Sequence, residues 1–211
     1  MSTVCAELHE LLTSLSRHYF PFDASRIPLN GIYVLFEDGE TAHGTDLIVR
    51  VGTHNGDDRL SKRLVEHFVQ ENKDRSIFRK NIGRAVLNRA NDPFLAQWEI
   101  DLMSREARRV YGDSVDKAKL KEVESIVSNY IRSHFSFVVV PITTYEARNL
   151  WESLFISTVA QCRECKPSVN WLGHFSTKEE IRTSGLWNVQ GLNKIPMKYA
   201  ELERLRELVN K

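Results

Sequence analysis

Gly31-Ile32-Tyr33-Val34-Leu35-Phe36, then Glu37-Asp38-Gly39-Glu40, then Asp46-Leu47-Ile48-Val49-Arg50-Val51-Gly52, is the stretch that decides the fold. Asn30-Gly31 breaks what precedes it. Ile32–Phe36 is rich in β-branched and aromatic residues and reads as a strand. Glu37-Asp38-Gly39-Glu40 carries turn chemistry, and Asp46–Val51 reads as the antiparallel partner.

Working outward, Leu60, Leu64, His67 and Phe68 set a helical period over Arg59–Glu71, with Arg59, Lys62, Arg63 and Glu66 on the polar face. Arg63 and His67 are spaced i, i+4 and share one helix face. A shorter helix is expected from about Ser76 to Asn88. Before the hairpin, Val4, Leu8, Leu11, Leu12 and Leu15 predict an N-terminal helix over Val4–Tyr19. Residues 92–134 read as one or two charged helices punctuated by Asp92-Pro93 and Gly112-Asp113. Phe135–Ile142, with three consecutive valines, is a buried strand by length and β-branching. Thr143 or Thr144 is placed to cap the helix Tyr145–Cys162, which carries Leu150, Trp151, Leu154, Phe155 and Ile156. Residues 170–191 are loop-rich and hold Trp171 and Trp187, and Met197–Val209 is a terminal amphipathic helix.

The 211 residues are 42% hydrophobic, enough to bury a full core in one elaborated domain. A net charge of +1 gives no global pull toward nucleic acid or membrane. The basic character is local: between Arg50 and Ala90 ten cations face five anions, enough for phosphate contacts. Cys5, Cys162 and Cys165 are an odd set with no secretory signal before them, which points to a reducing cytoplasm. No stretch approaches the roughly 20 apolar residues of a membrane span. Cys162-Arg163-Glu164-Cys165 has the spacing of half a zinc site, but only His174 lies nearby as a further ligand, so no zinc is assigned.

Gly31-Ile32-Tyr33, Val49-Arg50-Val51-Gly52, Arg63-Leu64-Val65-Glu66-His67, Glu152 and Asn170 stand in the order of the GIY-YIG nuclease family, which the chain resembles. Arg50 occupies the place of the usual Tyr of the second half-motif. The resemblance covers about residues 29–170. It implies an α+β fold with a small three-stranded, mostly antiparallel sheet flanked by helices. It further implies an N-terminal helical extension over 1–28, a helical insertion at about 92–134 and a C-terminal extension over 171–211.

The resemblance also implies a DNA endonuclease, hydrolysing phosphodiester bonds in what is expected to be duplex DNA. Lacking a separate targeting domain, it looks like the restriction or defence branch, acting as a homodimer where both strands are cut. Glu152 would hold Mg²⁺ or Mn²⁺ through a hard oxygen. Arg63 would bind phosphate. Tyr33 would position or deprotonate water, helped by the metal or Arg50, because a free phenol near pKa ~10 is a poor base. His67 would take the proton or orient Tyr33, and Asn170 would orient Glu152 or cap a turn. Arg79, Lys80, Arg84 and Arg89 are candidate DNA-backbone contacts. Taken alone, Arg63 is a solvated helix Arg, and Glu152 pairs with Arg148 one turn back.

Overall fold

The computed structural model describes residues 2–210. Helix α1 spans Ser2–Thr13 and strand β1 is only His18–Tyr19. The hairpin is β2 (Gly31–Ala42) with β3 (Thr45–Gly52), followed by α2 (Leu60–Phe68) and α3 (Ile77–Arg89). Three helices fill the next stretch: α4 (Leu95–Trp98), α5 (Arg105–Tyr111) and α6 (Lys117–His134). Strand β4 (Phe135–Pro141), α7 (Tyr145–Ala160), α8 (Glu179–Ser184) and α9 (Tyr199–Val209) complete the chain.

The sheet has four strands in the order β1-β4-β2-β3, every neighbouring pair antiparallel. The expected count of three is corrected by β1. Two residues have no period to read in a sequence, yet His18 and Tyr19 pair with Phe137 and Ser136. The same segment ends α1 earlier than expected.

The hairpin turn also differs from expectation. Glu37–Glu40 is no turn: β2 runs on to Ala42, and the register slips between Phe36 and Thr41, where Gly39 at φ +84° lets an irregularity form. The reversal falls at His43-Gly44, both at positive φ (54° and 77°), the two-residue turn whose twist suits antiparallel strands.

Ser76 caps α3 by accepting the Arg79 N–H, and Thr144 caps α7 by accepting that of Ala147. Helices α1 and α7 pack on β2 and β3, while α6 packs on β4 and against α2 and α3. Cys5, Leu8 and Leu12 of α1 are wholly buried, so the N-terminal segment is part of the core.

The C-terminal stretch covers the open edge of β3. Trp187 donates its backbone N–H to the Val49 carbonyl at 2.7 Å. The Asn188 amide accepts from the Val51 N–H (3.0 Å) and donates to the Val51 carbonyl (2.8 Å), as a neighbouring strand would. Buried Glu37 gathers the indole N–H groups of Trp171 (2.8 Å) and Trp187 (2.9 Å) and the Tyr130 hydroxyl. Burial pushes its carboxyl pKa up, and the three donors pull it back. One carboxylate thus joins β2, α6 and the C-terminal segment.

Candidate active site

At the end of the hairpin where β2 begins and β3 closes, two glycines let the strands and a phenol come together. A Cβ at Gly31 would strike the Val140 carbonyl, and one at Gly52 would overlap the Tyr33 ring and hydroxyl. Gly52 therefore matters because Tyr33 lies across it.

The Tyr33 hydroxyl sits 2.7 Å from His67 Nε2, and His67 Nδ1 sits 2.7 Å from the Ser76 hydroxyl. All three residues are buried. Burial, with Arg63, Arg50 and Arg79 around it, holds the His67 pKa well below the ordinary imidazole value, so the ring is neutral. Arg63 is half-buried on the next turn of the helix. It donates to Glu66 (2.9 Å) and to the Arg75 carbonyl (2.8 Å). Burial opposes its charge, but Tyr33 and Glu66 outweigh that and keep its pKa above the ordinary value.

Glu152 projects from α7 toward the loop after β3, where its Oε1 accepts the Thr53 N–H at 3.1 Å. Burial raises its pKa, against the pull of Arg50, the Thr53 N–H and Arg63. It does not pair with Arg148. That residue is fully buried and donates to Asn30 (3.2 Å), the Thr143 carbonyl (2.6 Å) and the Gly56 carbonyl (2.9 Å), bracing the loop beside the site.

Arg50 donates to the Trp187 carbonyl at 2.6 Å, with its guanidinium carbon 5.1 Å from the centre of the Phe78 ring. Its Nε is buried without a hydrogen-bond partner, as is Asn81 Nδ2. Arg50, Asn81, Glu152, Asn188 and Lys194 line one cavity of about 400 Å³. Thr53, His54, Arg59, Lys62 and Arg63 line another of about 300 Å³. Thr53 lines the second cavity and hydrogen-bonds Glu152 of the first, so the two meet at the loop after β3.

Tyr33, Arg50, Arg63, His67 and Glu152 thus come together, whereas Asn170 does not. It is exposed in the turn after α7 and lines neither cavity. Asn188, which the sequence reading passed over, is among the amides that line the Glu152 cavity. Its one signal was its place after Trp187, an aromatic bound for the core.

The expected DNA contacts on α3 are corrected more heavily. Arg79 is wholly buried, with Nε and Nη2 on Glu124 Oε2 (3.2 and 2.7 Å), Nη2 also on the Ser128 hydroxyl, and Nη1 on the His67 carbonyl. Arg84 holds Glu99 with two bonds of 2.6 Å. Lys80 is half-buried, donates to the Glu99 carbonyl at 2.9 Å, and has its pKa lowered by burial. Arg89 alone of the four is exposed. Exposed cations beside the site include Arg59 and Lys62 of the α2 segment and Lys194, which lines the Glu152 cavity.

No helix among the described residues is long and apolar enough to cross a membrane. No curated protein and no solved structure is significantly similar to the chain. A model of the GIY-YIG domain, however, matches residues 7–211, including the second half of the N-terminal helix and the C-terminal stretch as well as the half-motifs. The chain belongs to the GIY-YIG family of nucleases.

Proposed function

We propose that this protein is a metal-dependent DNA endonuclease, with Tyr33, Arg50, Arg63, His67 and Glu152 as its hydrolytic residues. One observation carries the reading. A half-buried carboxylate without an ion-pair partner among the described residues lines the same cavity as Arg50 and Asn81, which each carry a buried donor, Nε and Nδ2, left without a hydrogen-bond partner among those residues. Buried polar groups are otherwise hydrogen-bonded, so the set suits a cation and a phosphate oxygen arriving together.

The donor set fits Mg²⁺ or Mn²⁺. Glu152 Oε1 is fixed by Thr53, and Oε2 makes no hydrogen bond among the described residues. One hard anionic oxygen, with waters and phosphate completing the shell, is how such ions bind at phosphoryl sites. A cation held there supplies Lewis-acid stabilisation of the phosphoryl oxygens and the leaving group.

The remaining work belongs to the side chains. Ser76 Oγ accepts the Arg79 N–H, so hydrogen-bond economy gives its own proton to His67 Nδ1. His67 Nε2 then carries its hydrogen to the Tyr33 oxygen. That N–H on one side and Arg63 nearby hold the Tyr33 oxygen in place. Tyr33 can then take the proton of the attacking water. Arg63 and Arg50 offset the charge that grows on the phosphoryl oxygens. Asn188 holds the edge of β3 and so fixes Arg50.

The test is cleavage of supercoiled plasmid and of single-stranded DNA with Mg²⁺, Mn²⁺ or EDTA, wild type beside Glu152→Ala. Metal-dependent cutting that falls at least about a thousandfold in the variant, with DNA binding retained, is expected. No cutting on any substrate, with salt-sensitive binding intact, replaces the reading with a non-catalytic DNA-binding module. Discrete plasmid fragments identify the restriction or defence type, for which a homodimer would supply one site per strand.

A further inference from the structure

At the other end of the hairpin, far along β2 from Gly31, a second set of titratable groups converges that the nuclease chemistry does not use. Cys5 and His9 come from α1, His43 from the hairpin turn, and Cys162 and Cys165 from the loop after α7. Cys5, His9 and Cys165 are at most 1% exposed. Three segments, the last more than a hundred residues beyond the other two, thus bring thiols and imidazoles to one buried point. His174, the only extra ligand near the Cys-x-x-Cys pair in sequence, lies elsewhere against the Ser168 carbonyl.

The ligand atoms of Cys5, His9, His43 and Cys165 all lie within 4.8 Å of one another. Cys5 Sγ is 3.5 Å from Cys165 Sγ, and Cys165 Sγ is 3.4 Å from His43 Nε2 and 3.9 Å from His9 Nε2. A tetrahedron with Zn–S of 2.3 Å and Zn–N near 2.05 Å has edges of about 3.3–3.8 Å, so three of its edges are already close to length.

Both imidazoles are held by their other nitrogen. His9 Nδ1 bonds the Cys5 carbonyl at 2.8 Å, and His43 Nδ1 faces the Glu164 carboxylate at 3.3 Å. That leaves each Nε2 turned toward the sulfur of Cys165. A backbone carbonyl or carboxylate on the far nitrogen is how metal-binding histidines are usually oriented. Among the described residues, His9 Nε2 otherwise meets only the Ile48 N–H, at a long 3.3 Å.

We propose that Cys5, His9, His43 and Cys165 form a closed, structural zinc site. It clips α1, the hairpin turn and the end of α7 together. Two thiolates and two imidazoles suit a borderline-soft, tetrahedral ion, and four protein ligands would leave no position open for water or substrate, which separates the site from the hydrolytic one. Binding releases the two thiol protons. Cys162, whose Sγ is 3.4 Å from His43 Nε2, stands beside the site as an additional sulfur.

The test is metal content of the untagged full chain by mass spectrometry of the metal, followed by chelation and Co²⁺ titration monitored by absorbance. One zinc per chain is expected. Co²⁺ should produce thiolate charge-transfer bands and intense tetrahedral d–d bands, and chelation should lower the unfolding temperature by several degrees. Cys5→Ser and His43→Ala should lose the ion, whereas Glu152→Ala and Cys162→Ser keep it. The proposal is overturned if the folded metal-free chain takes up neither Zn²⁺ nor Co²⁺ at unit stoichiometry, or if mapping finds a Cys5–Cys165 disulfide. Zinc lost in Cys162→Ser but kept in His9→Ala overturns the ligand assignment. Retention of zinc in Glu152→Ala separates this outcome from any failure of the nuclease reading.

Discussion

On α2 and the residue before it, Arg59 and Lys62 stand at the surface and Arg63 lines a cavity, whereas on α3 Arg79 is sealed against Glu124 and Arg84 against Glu99. The two helices are neighbours in sequence, and their cations look alike there. What separates them is the origin of the carboxylates. Glu99 and Glu124 come from residues 92–134, which fold back over α3 and neutralise it. A local excess of cations therefore overstates the charge offered to a phosphate backbone. The surplus that remains is concentrated on the α2 side, next to Glu152.

The largest effect expected from this contrast is on stability. Arg79→Ala leaves Glu124 buried and unpaired at the junction of α3 and α6, and one-sided loss of a buried pair costs about 3–5 kcal/mol. Urea denaturation should show it. Replacing both partners, as in Arg79→Met with Glu124→Leu, should recover most of the loss, because the desolvation penalty leaves with the charges. If Arg79→Ala is as stable as wild type but binds DNA poorly, α3 is a DNA-facing helix and the contrast fails.

Arg63→Ala is expected to do the reverse. The pair is partly buried but still reached by water, with side chains 23% and 13% exposed, so the stability change should be about 1–2 kcal/mol, well short of the Arg79 loss. Removing a cation from beside the reacting phosphate should slow cleavage by about a hundred- to a thousandfold under single-turnover conditions. A fully active Arg63→Ala enzyme would sink that role.

The parts of the site legible in the sequence were those fixed by one element's own period. Arg63 and His67 share a face because of helix geometry alone, and Tyr33 follows from a strand bounded by Gly31. Glu152 borders the apolar stripe of α7, and the family resemblance singled it out there. What could not be read depends on long-range pairing. The shielding of Arg79 needs α6, and Asn188 acquires its place only because the chain returns to cover β3. Asn170 drew the assignment by following α7 directly, but the polypeptide makes a detour through Trp171 and α8 before reaching the edge strand. The turn at His43-Gly44 was masked by Asp38-Gly39, a stronger local signal that serves an irregularity instead. The Cys and His cluster was invisible for the same reason as Glu124: its members are distant in sequence and adjacent only after the sheet forms.

The smallest effect is also the most direct measure of which helix touches DNA. Each phosphate neutralised by a cation contributes close to one unit to the slope of log K against log salt. Lys62→Ala and Arg59→Ala should each lower that slope by about 1 without altering which sequences are bound, since phosphate contacts position a duplex and do not read it. Arg84→Ala should leave the slope unchanged, because its charge is already matched by Glu99 at 2.6 Å. Arg89→Ala sharpens the comparison further: it is the exposed cation at the far end of α3, and a slope change there would extend the DNA track along that helix. Equal slope losses for Lys62 and Arg84 would mean that Glu99 releases its partner when DNA binds, so that the paired state of α3 belongs to the free protein alone.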